Sequence, residues 1–215
     1  MTLKINSLAP DFKAKTTIGD ISFHEWLGDS WGVLFSHPKD FTPVCTTELG
    51  YMAKIEGEFK SRNCKIIGLS VDGLDDHENW KKDIEETQGA KVNYPMISDE
   101  NLEIAKLYYM LPSEEVNDGK RTAMTNATVR SIFLIDPEKK IRMMLTYPMT
   151  TGRNFDEIIR VIDSIQLTSK KKVATPANWK KNEEVIIVPA VSDEEAKELF
   201  GEFKKIKPYL RYTKV

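Results

Sequence analysis

Reactivity in this chain centres on one cysteine. Cys45 stands in the run Ser36-His37-Pro38-Lys39-Asp40-Phe41-Thr42-Pro43-Val44-Cys45-Thr46-Thr47-Glu48. A proline suits the first turn of a helix, where its missing N–H costs nothing. After Pro43, the apolar residues Leu49, Met52, Ile55 and Phe59 recur at roughly helical spacing. The pattern places Cys45 in the first turn of that helix. Unpaired N–H groups and the positive end of the helix dipole favour a negative group there. A cysteine so placed tends to react as thiolate. Thr42 lies three residues earlier, close to one turn away, and Glu48 lies one turn later.

Other residues with chemical potential form weaker patterns. Gly28-Asp29-Ser30-Trp31-Gly32 matches the G-x-S-x-G of serine hydrolases, and His24 precedes Ser30 by six residues. A nucleophile elbow needs a strand, a sharp turn carrying the serine, and then a helix. Here a strand follows Ser30, so the stretch reads as a turn before a core strand and His24 as an edge-strand residue. His24, His37 and His77 fall in different elements with no cysteine pairing, so no metal is expected. With no glycine-rich phosphate loop or flavin motif, no cofactor is expected either.

The elements that must position Cys45 follow from apolar patterning. Residues 11–17 and 21–27 alternate weakly around Gly19-Asp20 and predict a short hairpin or extended arm. Gly32-Val33-Leu34-Phe35 predicts a strand feeding the reactive run, and the helix extends from about Val44 to Lys60. The dense apolar run Cys64–Val71, ended by Asp72-Gly73, reads as a buried strand. Asp75-Asp76-His77-Glu78 resembles a capping box opening a helix through Gln88. Tyr94–Ser98 predicts a short strand, and Asp99 a cap for a helix carrying Leu102, Ala105, Leu107 and Tyr108. The polar loop Pro112 to Asn126 is read as the mobile segment. Ser131–Ile135 and Ile141–Leu145 flank Asp136-Pro137-Glu138-Lys139-Lys140 and predict a hairpin. Asn154-Phe155-Asp156-Glu157 opens a helix with Ile158, Ile159, Ile162 and Ile165 on its apolar side.

The order βαβα followed by ββα implies an α/β domain, a mixed central sheet with helices on both faces, resembling the thioredoxin fold. After Lys170 the texture changes to Val173–Pro176, Val185–Pro189 and a helix opened by Ser192-Asp193-Glu194-Glu195. The expected division is residues 1–168 and a small C-terminal domain, 169–215. A piece of about 45 residues is marginal alone. It is expected to pack on the first domain or on another subunit, which predicts an oligomer.

Totals exclude several classes. With 40% hydrophobic and 30% charged residues among 215, the chain can bury a core of ordinary globular size. A net charge of −2 gives no electrostatic case for nucleic acid or membrane as partner. Lys170-Lys171-Lys172 reads as a solvated linker. Two cysteines exclude a disulfide-rich scaffold. The first residues show no signal-like apolar region and no run has transmembrane length, so a cytoplasmic location in a reducing compartment is expected.

At Pro38-x-x-x-Thr42-x-x-Cys45 the sequence resembles the P-x-x-x-T-x-x-C signature of peroxiredoxins. Phe41 through Leu49 resembles the family's active-site helix, and Arg130 matches the arginine that contacts the reactive sulfur. Tyr147-Pro148, Thr150-Thr151-Gly152-Arg153-Asn154, Val173-Ala174-Thr175-Pro176 and the appended C-terminal domain resemble the one-cysteine subfamily. The resemblance covers nearly the whole chain. It implies a thiol peroxidase whose Cys45 thiolate reduces hydrogen peroxide or an organic hydroperoxide and becomes a sulfenic acid. Such a reaction needs an ionised sulfur, donors that place the peroxide in line, and donors for the leaving oxygen. Arg130 suits the first need, because a guanidinium stays charged when buried. The Thr42 hydroxyl is one turn from the sulfur and can reach it and the peroxide, and Glu48 can orient Arg130 or Arg153. The resemblance further implies that Pro38 shields the site and that His37 hydrogen-bonds the sulfur or a bound oxygen.

Cys64 is the one internal candidate to reduce that sulfenic acid. About 16 helical residues at 1.5 Å each put it roughly 24 Å from Cys45, whereas a disulfide needs Cα atoms within about 7 Å. A one-cysteine cycle reduced by an external thiol is therefore expected, with glutathione, glutaredoxin and thioredoxin all chemically able. The expected assembly is a homodimer or a ring of dimers. Two alternatives stand beside it. One is an added phospholipase A2-type activity on Ser30 and His24, for which Glu138 occupies the position resembling the family's Asp, with Asp136 two residues earlier. The other is a non-enzymatic thioredoxin-like chaperone, whose Cys45 would show no unusual reactivity toward peroxide.

Overall fold

The computed structural model describes residues 3–112 and 127–215; beyond Pro112, the loop read as mobile lies outside them. The chain divides into two compact units, Met1–Phe155 and Asp156–Val215. The division falls after the first residue of a helix, Phe155.

In the first unit, β1 (Lys13–Thr16) and β2 (Gly19–Ser22) form the expected hairpin, Lys13 facing Ser22 and Thr16 facing Gly19. The second arm does not stay extended. A short helix, α1 (Phe23–Leu27), replaces it and buries Phe23 and Leu27. Those two residues are four apart, a helical spacing that the weak alternation of 21–27 conceals. Then follow β3 (Trp31–Ser36), α2 (Pro43–Lys54), α3 (Glu56–Lys60), β4 (Cys64–Ser70), α4 (Leu74–Gln88), β5 (Met96–Ser98), α5 (Glu103–Leu107), β6 (Arg130–Ile135) and β7 (Ile141–Tyr147). The helix expected over 44–60 is two, broken at Ile55, whose φ of −100° and ψ of 12° leave the helical region. α4 starts after Gly73 with no side-chain cap, so the Asp75–Glu78 box does not form. Asp99 does cap α5, from outside the turn: its carboxylate accepts the Ile104 and Ala105 N–H groups at 3.1 and 2.7 Å.

The seven strands lie in the order β2-β1-β5-β4-β3-β6-β7. β3, β4 and β5 run parallel, while β6, β7, β1 and β2 pair antiparallel with their neighbours. This is the mixed sheet of a thioredoxin-like fold. β3 and β6 are buried at every position, which is why they read as unbroken apolar runs. Leu34, Ile67, Leu69, Ile97, Phe133 and Ile135 share a core with α1 and with Ala105 and Tyr108. α2 approaches α4 closely at Gly50, where a Cβ would sit 2.4 Å from the Gln88 side chain. The two central strands thus carry α2 and Arg130 to one end of the sheet.

The second unit contains most of α6 (Phe155–Thr168), β8 (Val173–Ala174), β9 (Val185–Ile187), α7 (Asp193–Phe200), β10 (Lys204–Lys207) and β11 (Leu210–Thr213). Its strands form a sheet in the order β10-β11-β9-β8. Ser192 caps α7 by accepting the Glu195 N–H at 3.1 Å. Val173, Trp179 and Val185 make one small core; Ile187, Val191 and Ala196 make another. Among the described residues no helix is long and apolar enough to cross a membrane.

Candidate active site

The Cys45 sulfur sits where β3 hands over to α2. Pro43 occupies the first helical position and Thr42 the cap. Val44 and Cys45 precede the first helical hydrogen bond, from the Thr46 N–H to the Thr42 carbonyl at 3.0 Å. Cys45 is fully buried. Arg130 opens β6, directly beside β3, and so stands at the same end of the sheet. Its Nη1 lies 3.4 Å from Cys45 Sγ and 2.7 Å from Glu48 Oε2. Its Nε donates to the Met149 carbonyl at 2.8 Å.

Glu48, one turn after Cys45, joins two guanidiniums. Oε1 accepts the Arg153 backbone N–H at 2.8 Å and Nε at 2.9 Å; Oε2 accepts Arg153 Nη2 and Arg130 Nη1, each at 2.7 Å. Arg153 also donates to the Ser36 and Ser131 carbonyls at 2.8 and 2.9 Å, tying the ends of β3 and β6 together. Burial alone would push the Glu48 carboxyl up, but the hydrogen bonds and charge of Arg153, with Arg130, hold it below the usual range. The carboxylate therefore stays ionised and fixes the cation that faces the sulfur.

Pro38 is buried beside His37. Thr42 keeps its hydroxyl on the Lys39 carbonyl at 2.8 Å and makes no cap bond. The Thr46 hydroxyl, bonded to the Thr42 carbonyl at 2.8 Å, accepts from Trp80 Nε1 at 3.2 Å, and the Trp80 ring lies 5.3 Å from that of His37. A sulfur facing a buried guanidinium at a helix start can attack an electrophile and withstand charge on the group it displaces.

The AhpC/TSA family model matches residues 5–144, and the model of the C-terminal domain of one-cysteine peroxiredoxins matches residues 164–202. A mitochondrial peroxiredoxin of Saccharomyces cerevisiae is 55% identical over 99% of this chain and 81% of its own. The one-cysteine peroxiredoxin of Dictyostelium discoideum is 53% identical over 98% and 85%. A solved structure of peroxiredoxin 6 from Arenicola marina superposes with a TM-score of 0.91 at 48% identity, covering 99% and 98% of the two chains. This chain belongs to the one-cysteine peroxiredoxins. A yeast mitochondrial member, solved to explain how its thiol is resolved through glutathione and thioredoxin systems, superposes at 0.89 with 53% identity over 100% of both chains.

In this peroxiredoxin Cys64 lies at the far end of the sheet from the site. It pairs with Trp31 at the start of β3, whereas α2 follows the end of β3, Ser36. Five strand residues at 3.3 Å span about 17 Å. Burial pushes the Cys64 thiol up to about 12, with Arg62 opposing weakly, so it is a packed apolar residue at neutral pH. Ser30 donates to Asn63 at 3.2 Å and the His24 ring contacts the Ala9 carbonyl at 2.9 Å. Glu138 binds Lys140, and Asp136 binds Arg142. No contact joins these four as a hydrolytic set among the described residues.

Sequence reading missed a second polar cluster behind the site. Asp40 is buried between two histidines, His37 Nε2 at 2.7 Å and His77 Nδ1 at 2.5 Å. Asp72 accepts the Asp40 N–H at 2.9 Å and the Ser70 hydroxyl at 2.8 Å. His37, Asp40 and Asp72 bring ligand-type atoms within 4.8 Å of one another, and those atoms are bonded to each other or to neighbouring donors. His77 read as part of a capping box, and nothing in its spacing to His37 betrays the shared carboxylate.

Proposed function

We propose that this peroxiredoxin reduces hydrogen peroxide and organic hydroperoxides through Cys45. The observation that carries the reading is the guanidinium of Arg130, 3.4 Å from a sulfur in the first turn of α2. The thiolate attacks the nearer peroxide oxygen; the O–O bond breaks, sulfur is oxidised to Cys45–SOH, and the other oxygen leaves as alkoxide or hydroxide and takes a proton. Arg130 balances charge on the reacting sulfur. Thr42 and the Cys45 N–H are assigned to the peroxide oxygens, Glu48 and Arg153 to the placement of Arg130, Pro38 to shielding, and His37 to a bound oxygen. One external thiol condenses with the sulfenic acid, releasing water, and a second reduces the mixed disulfide.

Glutathione, glutaredoxin and thioredoxin are the reductant classes, supported by the glutathione and thioredoxin systems in the yeast relative. We assign a homodimer or ring of dimers, with residues 1–168 as the peroxidase domain and 169–215 as the packing domain; a monomer at micromolar concentration in sedimentation would overturn the assembly. Two unpaired cysteines suit the cytoplasm, and cell fractionation decides between it and the mitochondrion of the yeast relative. For the activity itself, one equivalent of hydrogen peroxide is added to reduced protein and sulfenic acid is trapped and located by peptide mass. Label on Cys45 within a second, absent in Arg130→Ala over that time, is expected. An unlabelled Cys45 overturns the reading.

A further inference from the structure

The seven-stranded sheet has a gap beside the start of β4. Odd positions of this stretch turn their backbone groups toward β3: the Asn63 carbonyl takes the Trp31 N–H and the Leu69 carbonyl takes the His37 N–H, each at 2.9 Å. Even positions therefore face the other way, toward β5. The Gly68 N–H donates to the Pro95 carbonyl at 3.0 Å, and the Ser70 carbonyl takes the Asp99 N–H at 2.9 Å. Gly68 pairs with Met96, so the same register carried two residues back sets Ile66 opposite Tyr94. There the ladder stops. Its next bonds would join the Ile66 N–H to the Asn93 carbonyl, and the N–H of residue 95 to the Ile66 carbonyl. Residue 95 is a proline and has no N–H. Among the described residues neither backbone group of Ile66 meets a partner, although Ile66 is only 4% exposed. Backbone groups at such burial are normally paired.

A half-open cavity of about 320 Å³ fills this gap, at the small end of the roughly 300–1,000 Å³ of ligand sites. Its floor is apolar and buried: Phe59, Cys64, Ile66, Tyr94 and Pro95. The Leu49 carbonyl holds the Tyr94 hydroxyl at 3.0 Å, and burial keeps the Cys64 thiol uncharged by pushing it up to about 12. The rim is cationic. α3 sets Glu56, Phe59 and Lys60 on one face, so Lys60 borders the cavity while pairing with Glu56 at 2.8 Å. Lys65 donates to the Trp26 carbonyl and lies 5.2 Å from that ring's centroid, with no carboxylate partner among the described residues. Two ammoniums thus face one carboxylate.

We propose that this gap binds an N-acylated amino acid with an apolar side chain. In any amino acid the N–H and its own carboxylate can point to one side, as in a hydrogen-bonded antiparallel pair. The ligand's amide N–H then donates to the Ile66 carbonyl, and one carboxylate oxygen accepts the Ile66 N–H. The other carboxylate oxygen meets Lys65 and Lys60, and the side chain lies on the floor. A simple aromatic or fatty acid would leave the Ile66 carbonyl unmatched, and a free amino acid would bring an ammonium against two lysines. Cys64 pairs with Trp31, at the end of the sheet away from Cys45. The inference does not rest on the peroxidase reading.

The test is a titration of nitrogen-15-labelled, reduced protein with N-acetylphenylalanine, without peroxide. The Ile66 N–H resonance should move to lower field and saturate with a Kd below about 1 mM, while those of Cys45 and Arg130 stay. 3-Phenylpropanoate keeps the ring and carboxylate but lacks the amide N–H; it should bind about fivefold more weakly, the effect of one hydrogen bond. Phenylalanine should also bind more weakly than its N-acetyl form. Lys60→Met combined with Lys65→Met, both at exposed positions, should weaken N-acetylphenylalanine about fivefold and leave uncharged N-acetylphenylalaninamide within about twofold. An Ile66 N–H unmoved at about 10 mM ligand, ten times that Kd limit, overturns the proposal. Equal binding of 3-phenylpropanoate overturns the pairing with Ile66, and wild-type affinity in the double methionine variant overturns the place of the carboxylate.

Discussion

Glu48→Gln separates the charge of the Arg130–Glu48–Arg153 network from its shape. The change keeps the side-chain outline and removes one charge and one acceptor. Each carboxylate oxygen of Glu48 accepts two N–H groups, four donors in all. Glutamine has a single oxygen, so in either orientation two buried donors face an NH₂ group. Arg130 and Arg153, both nearly inaccessible, also lose their shared counter-charge. Removing one member of a buried ion pair costs about 3–5 kcal/mol, a large share of the roughly 5–15 kcal/mol that holds a protein folded. Urea unfolding of the reduced protein at pH 7 reads this directly. The pH dependence fixes the cause. The folded Glu48 carboxyl lies below its unfolded range, so its stabilisation is complete above about pH 4.3 and is lost as pH falls through the folded value. The gap between wild type and Gln should therefore be full at pH 7 and close in acid. With Arg130 loosened, Cys45 oxidation should slow at least about tenfold. A Gln variant within about 1 kcal/mol of wild type at pH 7, below the buried-pair range, or an undiminished gap in acid, would refute the reasoning.

Three further outcomes are expected. Cys64→Ala should turn over peroxide with external thiol within about twofold of wild type, since a thiol raised to about 12 supplies no thiolate at neutral pH; loss of turnover with an intact first step would restore a two-cysteine cycle. Arg130→Lys should slow Cys45 oxidation by about 10- to 100-fold despite keeping the charge, because an ammonium cannot span Sγ, Glu48 and the Met149 carbonyl from one rigid fork; stopped-flow peroxide kinetics check it. Asp40 should contribute about 2 kcal/mol, following from its folded value of about 2 against 3.8 unfolded. That contribution is present above about pH 4 and lost toward pH 2, so acid titration should show wild type losing stability there that Asp40→Asn does not lose.

What could be read from the sequence was set by locality. Cys45, Pro43 and the helix they share lie within a few residues, and a proline at the first helical position is a local signal. β3 and β6 were legible because central strands buried on both faces carry unbroken apolar runs. By contrast β10 was invisible: all four of Lys204-Lys205-Ile206-Lys207 are exposed, so no alternation marks the strand, and its pairing with β11 is what makes it one. α1 hid behind a spurious alternation for the opposite reason, since five residues are too few to display a helical period. The site divides along the same line. Arg130 reaches the sulfur across 85 residues and Arg153 reaches Glu48 across 105; their spacing carries no physical signal, and only family resemblance pointed to them. Asp40 lies five residues before Cys45, yet its partner His77 comes from α4, and its burial depends on how β4 and α4 close over the loop. A carboxylate between two histidines exists only after the chain has folded. It stood outside the sequence signature because that signature records the residues around the sulfur, while His77 reaches Asp40 from 37 residues away.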